Sequence, residues 1–167
     1  MRTGIALGSN LGDRLAHLRQ ALALVRSLPG AADPVRCSRI YETEPVGTGP
    51  ESASFLNAVV EIDYSGHAVS LLDALQAIES QMGRPSKRPR NAPRPIDLDI
   101  LYFGNLVLSN EEIVIPHPRL HLRRFVLQPL ADIRPELTLP GQEKDIATLL
   151  ADLADPALVA LTDYTLE

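Results

Sequence analysis

Hydrophobic positions along this chain change period in a definite order. Ile5-Ala6-Leu7 is a short apolar run that breaks at Gly8-Ser9-Asn10-Leu11-Gly12-Asp13, so a strand passes into a turn. Leu15, Leu18, Leu22 and Val25 then recur at helical spacing, with Asp13 as N-cap and Pro29-Gly30 as the stop. Val35 to Tyr41 alternates and continues to Thr43, a second strand. Pro45, Gly47, Gly49 and Pro50 make residues 44–54 a loop. Phe55 to Ile62 is the third strand. Leu71, Leu72, Leu75, Ile78, Glu79 and Met82 outline a second helix closed by Gly83. Four prolines keep 84–96 out of a helix, and a fourth strand opens at Asp97. Leu106-Val107-Leu108 is expected to pair back across Gly104-Asn105 as a hairpin. Beyond Pro116-His117-Pro118 a helix is expected around 120–132, and the tail from Asp145 reads as one more.

This order, β-α-β-β-α-β, predicts an α+β fold of the ferredoxin-like arrangement. Its antiparallel sheet carries both long helices on one face, and the added C-terminal helices are expected to cover the other face. A length of 167 residues predicts one domain, 1–167, and 45% apolar residues suffice for a core. Cys37 is the only cysteine, so no disulfide can form within the chain. The N-terminus is broken too early for a signal sequence, and no run approaches the ~18 apolar residues of a membrane span. A soluble cytoplasmic protein is expected, with no membrane partner.

Net charge is −5, which argues against a nucleic-acid partner. The cations are unevenly placed. Of 16 Lys and Arg, five lie between Arg84 and Arg94 (Arg84, Lys87, Arg88, Arg90, Arg94), and Arg119, Arg123 and Arg124 form a second group. An acidic protein with half its cations in two short segments has a local anion site. Just after the first group stand Asp97 and Asp99. Residues i and i+2 of a strand share a face, so both carboxylates project together while Ile96, Leu98 and Ile100 face the core. A lone Asp-x-Asp is usually a solvated edge. Here two carboxylates that repel stand beside a cationic loop, which suits a magnesium polyphosphate: acids for the metal, cations for the remaining oxygens.

Other candidates are weaker alone. Asn57 sits in an apolar strand, either as an edge position facing water or as an amide reading a polar heterocycle. Phe55 and Phe125 are core residues by default, but as a facing pair they could sandwich a flat ring. His117 is either a surface loop histidine or a phosphate or ribose contact. The turn at Gly8 to Gly12 is neither a P-loop nor a dinucleotide fingerprint. No Cys/His cluster suggests zinc, and no nucleophile elbow suggests acyl transfer.

Together these residues resemble a known family. Arg90-Asn91-Ala92-Pro93-Arg94-Pro95-Ile96-Asp97-Leu98-Asp99-Ile100-Leu101 is similar to the signature of the 6-hydroxymethyl-7,8-dihydropterin pyrophosphokinases of folate biosynthesis. So are Leu7-Gly8-Ser9-Asn10-Leu11-Gly12-Asp13, Tyr41-Glu42-Thr43-Glu44-Pro45, Phe55-Leu56-Asn57-Ala58 and Pro116-His117-Pro118. The resemblance spans about Ile5 to Pro140. It implies transfer of pyrophosphate from ATP to the pterin's hydroxymethyl oxygen with release of AMP. It implies that Asp97 and Asp99 hold two Mg²⁺ ions and that Arg84 and Arg94 clamp phosphates beside them as catalytic residues. On the ATP side it implies Gln76, Glu79, Arg84, Arg94, Ile100, His117 and Arg123. On the pterin side it implies Thr43, Val46, Phe55, Asn57, Asp97 and Phe125. A monomer is expected.

Three departures stand out. Asn91 replaces a common Trp, Phe55 replaces a Tyr found in some members, and Glu112 lies where some members direct an Arg toward ATP. Two other classes remain open: a non-catalytic ferredoxin-like binding module, for which Asp97 and Asp99 would be superfluous, and a metal-dependent nucleotide phosphohydrolase. AMP formed only when pterin is present separates transfer from hydrolysis.

Overall fold

The computed structural model describes residues 1–44, 53–85 and 92–167. The chain runs β1 (Arg2–Ser9), α1 (Arg14–Arg26), β2 (Ala31–Cys37), β3 (Tyr41–Thr43), β4 (Phe55–Tyr64), α2 (Ala68–Gln81) and β5 (Asp97–Phe103). Then follow β6 (Leu108–Ser109), β7 (Val114–Ile115), a 3-10 turn at Leu120–Leu122, α3 (Arg124–Ile133), α4 (Ile146–Asp152) and β8 (Val159–Leu161).

The expected punctuation acts where it stands. Asp13 accepts from the Ala16 amide and caps α1. Gly83, at φ +91°, takes the left-handed conformation that ends α2. Asp145 caps α4 by accepting from the Thr148 amide at 2.9 Å.

The main sheet has the order β5-β1-β4-β3-β8, and β2 also pairs with β4; all pairings are antiparallel. β2 and β3 lie end to end along the ten residues of β4. They form the single strand expected up to Thr43, interrupted at Ser38–Ile40. Ser38 preserves the ladder there: its amide donates to the Val59 carbonyl at 2.9 Å, and its hydroxyl accepts from the Val59 amide at 2.8 Å.

Two cores flank the sheet. On one face α1 and α2 pack through Leu18, Leu22, Val25, Leu71, Leu75 and Ile78 onto Ile5, Leu7, Leu56, Ile62 and Ile100. On the other face α3 and α4 pack through Val126, Leu127, Leu130 and Ile146 onto Val59, Leu101 and Tyr102. The C-terminal helices therefore cover the second face, as expected.

β5 serves both cores because of a bulge. Ile5 pairs with Ile100 and Gly4 with Tyr102, leaving Leu101 as the extra residue. Leu101 and Tyr102 then both join the α3 core, and Phe103 returns to the α1 side. Simple alternation would have put Phe103 on the face of Asp97 and Asp99.

Two expectations need correction, and the tail adds an element to the helix expected there. Leu106-Val107-Leu108 does not pair back onto β5; Leu108 and Ser109 pair instead with Ile115 and Val114. Gly104 donates its amide to the Arg2 carbonyl on β1 and Leu106 closes a turn onto Phe103, after which Val107 stays exposed. The helix expected around 120–132 begins only at Arg124, because Leu120–Leu122 close a separate 3-10 turn. The tail holds a further strand: β8 extends the sheet beyond β3, pairing Tyr41 with Leu161 and Thr43 with Val159. Val159-Ala160-Leu161 is too short to carry a sequence period, so β3 decides its fate.

Candidate active site

A cavity of about 620 Å³ lies on the α3 side of the sheet, floored by β1, β4 and β5. Its floor follows from register. Gly8 pairs with Asn57 on one side and Asp97 on the other; Ala6 pairs likewise with Val59 and Asp99. Two rows therefore cross the sheet, Asp97–Gly8–Asn57 and Asp99–Ala6–Val59. Strands lie ~4.8 Å apart, so the carboxylates and the amide stand about 10 Å apart across small residues. A Cβ on Gly8 would come within 3.2 Å of Asn57 Oδ1 and 3.6 Å of the Phe55 ring. Glycine keeps the middle of the floor low where polar groups stand at either end.

At the acid end, Asp97 is held by two arginines. Arg84 Nη1 donates to Asp97 Oδ1 and also to Glu79, and Arg94 Nη2 pairs with Asp97 Oδ2 at 2.9 Å. Asp99 has no ion-pair or hydrogen-bond partner among the described residues. Its side chain is exposed into the cavity. Partial withdrawal from bulk water on the cavity floor, followed by the charge of Asp97, pushes its carboxyl up to about 6. Burial likewise pushes Glu79 up to about 7, opposed by the Leu98 amide, which donates to it at 2.7 Å, and by Arg84. Two carboxylates on one strand face can hold a hard divalent cation, with the other coordination positions left to water or ligand oxygens. The described residues contain no group of three or more metal-ligating side chains.

At the other end, Asn57 is 7% exposed, and its Nδ2 donates to Thr43 Oγ1 at 2.7 Å. Phe55 stands two residues before Asn57, on the same strand face. The Arg94 guanidinium lies 5.2 Å from the Phe55 ring centroid, and that of Arg123 lies 5.4 Å from Phe125. The entrance to α3 brings Phe125 over the floor.

His117 is pinned by its backbone and ring. Its amide donates to the Leu101 carbonyl at 2.8 Å, and its Nδ1 accepts from the Arg119 amide at 3.1 Å. The ring proton is therefore on Nε2. Burial, then the charges of Arg123 and Arg119, push the imidazole down to about 4, so it is neutral near pH 7.

The cavity brings together Thr43, Phe55, Asn57, Arg94, Asp97, Asp99, His117, Arg123 and Phe125. Glu79 and Arg84 meet it only through Asp97. Gln76 is exposed on α2, and Ile100 faces the helix-side core; neither lines the cavity. Glu112 is exposed beside β7 and is not in the lining either. Val46, Lys87, Arg88, Arg90 and Asn91 lie outside the described residues. Sequence reasoning assigned no separate role to Gly8, Leu122 and Asp155, which line the cavity, and named Arg119 there only as one of a cationic group. It also missed Asn10, which accepts from the Arg94 amide at 2.8 Å and donates its own amide to the Arg94 carbonyl at 3.2 Å. Only the proximity of the β1 end to the β5 start reveals that link.

A family model for 7,8-dihydro-6-hydroxymethylpterin-pyrophosphokinase matches residues 4–135. The chain is 47% identical over 129 residues to the 2-amino-4-hydroxy-6-hydroxymethyldihydropteridine pyrophosphokinase of Bacillus subtilis, covering 77% of this chain and 75% of that one. It is 38% identical over 157 residues to the enzyme of the same name from Haemophilus influenzae, covering 94% and 96%. A solved Plasmodium falciparum HPPK-DHPS matches with a TM-score of 0.71 at 16% identity, over 90% of this chain. This chain spans 42% of that HPPK-DHPS chain, and the likeness to it is one of fold.

Proposed function

The chain belongs to the 7,8-dihydro-6-hydroxymethylpterin pyrophosphokinase family, which transfers pyrophosphate from ATP to hydroxymethyldihydropterin in folate synthesis, and we propose that the two ends of the cavity divide that work. The row Asp97–Gly8–Asn57 carries this reading: it sets an anionic end and an amide end across a floor without side-chain bulk.

At the acid end Asp97 and Asp99 are the Mg²⁺ ligands, two ions being expected with ATP. When held there, Mg²⁺ would supply charge neutralisation for a triphosphate, and Asp97 and Asp99 would fix its place on the cavity floor. The protein's own groups prepare for that charge. Arg84 and Arg94 neutralise Asp97 in this structure, and Arg94 also lines the cavity where phosphate oxygens would lie. The Arg94 Nε is buried without an acceptor among the described residues, a donor suited to an anion. Arg123 and the His117 Nε2–H stand on the opposite wall, and Arg119 adds a cation beside them. Glu79 orients Arg84 and the β5 start, while Gln76 and Ile100 are ATP-side positions by family resemblance alone. Arg84, Arg94, Asp97 and Asp99 are the catalytic set.

At the amide end Asn57 offers donor and acceptor to the pterin edge, held by Thr43. Phe55 and Phe125 supply the flat faces, and Val46 is the remaining pterin-side position by resemblance. Arg94 lies over Phe55 here, so the pterin must displace its guanidinium toward the phosphates.

The strand order, with β2 and β3 counted as one strand, supports the ferredoxin-like assignment. A single domain over 1–167 is supported by the tail, whose Leu166 is buried in the helix-side core. We propose a monomer acting in the cytoplasm; no helix among the described residues is long and apolar enough to cross a membrane.

The test is product analysis. AMP and pterin diphosphate should form together, in equal amounts, only when both substrates and Mg²⁺ are present. Nucleotide cleavage at an unchanged rate without pterin would replace transfer by hydrolysis.

A further inference from the structure

We propose that Arg14, Glu42 and Ser54 clamp the pterin end of the cavity from the opposite face of the sheet, making Arg14 a positioning residue for a substrate it does not touch. The inference rests on the pterin site at Thr43, Phe55 and Asn57.

One guanidinium nitrogen, Arg14 Nη1, reaches three acceptors: Glu42 Oε1 at 2.8 Å, the Ser54 carbonyl at 2.8 Å and Ser54 Oγ at 3.1 Å. The Ser54 hydroxyl in turn donates to Glu42 Oε1 and closes a triangle. The three residues come from the first turn of α1, from β3, and from the residue just before β4. Both ionised groups are partly shielded, with side chains 26% and 40% exposed. Hydrogen bonds from Ser54 and Arg14 hold the Glu42 carboxyl below its usual range.

Strand alternation gives the triangle its purpose. Tyr41, Thr43, Phe55 and Asn57 face α3 and the cavity, so Glu42 and Leu56 face α1. The last rung of the β3–β4 ladder pairs Thr43 with Phe55, and the clamp grips the residues immediately before both. β3 has only three residues, and its two ladders, to β4 and to the equally short β8, are three pairs each. Fraying there would move the Phe55 ring and break the Thr43–Asn57 bond together.

Helix stability does not explain Arg14. A cation in the first turn opposes the helix dipole, and it is the Asp13 cap, not Arg14, that serves this helix end. Partly exposed ion pairs also add little to global stability. The arrangement has local value, setting where Thr43 and Phe55 stand.

The experiment uses the full chain saturated with Mg²⁺ and a non-hydrolysable ATP analogue, titrated calorimetrically with 6-hydroxymethyl-7,8-dihydropterin. Arg14→Ala should weaken pterin binding about tenfold, equivalent to ~1.4 kcal/mol of binding free energy. The analogue's own Kd should stay within about twofold and the melting temperature within about 3 °C. Ser54→Ala, which removes one hydroxyl and cannot unfold the chain by cavity formation, should weaken pterin in the same direction. The double variant Arg14→Ala/Glu42→Ala should be no worse than Arg14→Ala, since the residues act as one unit. Unchanged pterin affinity in Arg14→Ala overturns the clamp. So does parallel weakening of both ligands with a collapsing melting temperature, which marks a general structural role. Asn57→Ala is run alongside. If it too leaves pterin binding intact, the pterin site itself is misassigned; if it weakens binding while Arg14→Ala does not, the clamp alone is wrong.

Discussion

Asn57→Ala separates the two ends of the cavity most cleanly. The residue is 7% exposed, so its amide has little solvent to fall back on. Truncation removes one neutral bond to Thr43, itself 4% exposed, at a cost of ~0.5–1.5 kcal/mol of stability. In a chain of this length that lowers the melting temperature by about 1–6 °C. Substrate loses more. A pterin edge left facing a methyl group keeps unpaired polar atoms in a confined site, costing ~1–3 kcal/mol. That is a pterin Kd about 5- to 150-fold weaker. Magnesium nucleotide, two strands away at the acid end, should bind within about twofold of normal, because well-separated sites behave additively. Calorimetric titration of each ligand reads both numbers. Equal weakening of the two, or an effect on nucleotide alone, refutes the division of the cavity.

Asp97→Asn and Asp99→Asn should each fold normally by circular dichroism and lose transfer, because the charge they supply is worth several kcal/mol in the transition state; near-normal turnover under saturating Mg²⁺ would sink the metal assignment. His117 has its pKa pushed down to about 4 from 6.5, so the neutral ring stabilises the fold above pH 6.5 and that contribution fades as the pH falls toward 4. Denaturation midpoints should therefore drop less between pH 7 and pH 4.5 in His117→Gln than in the parent, and identical drops would contradict the burial argument. Glu61 is fully buried and accepts from Tyr102, Arg134 and Arg2. Glu61→Ala strands those donors and should cost ~3–5 kcal/mol in urea unfolding; a loss under ~1 kcal/mol would mean the network adds nothing net.

Much of this was legible in the sequence because it is local. Helix spacing, Asp13, Gly83 and Asp145 act within one turn of where they stand. The alternation around Asp97 and Asp99 needs no partner strand, and the cationic run declares an anion site by composition. Asn57 and the phenylalanines were visible as candidates, but their roles depended on a family resemblance rather than on any local pattern.

Local period and punctuation set the strands and helices from β1 to β5, their order and the two acids that share a face. What lies across from those acids, and the elements β6, β7 and β8, came from long-range pairing. Register put Gly8 between Asp97 and Asn57, and that pairing joins residues about 50 and 90 positions away from it. The bulge at Leu101 turned Tyr102 toward α3, against the simple period, because β5 must serve two cores. β8 exists because β3 presents a free edge, and Arg14 reaches Glu42 and Ser54 because α1 begins beside the end of that strand. Local pattern fixes which way a side chain points relative to its own backbone, whereas long-range packing fixes what it meets.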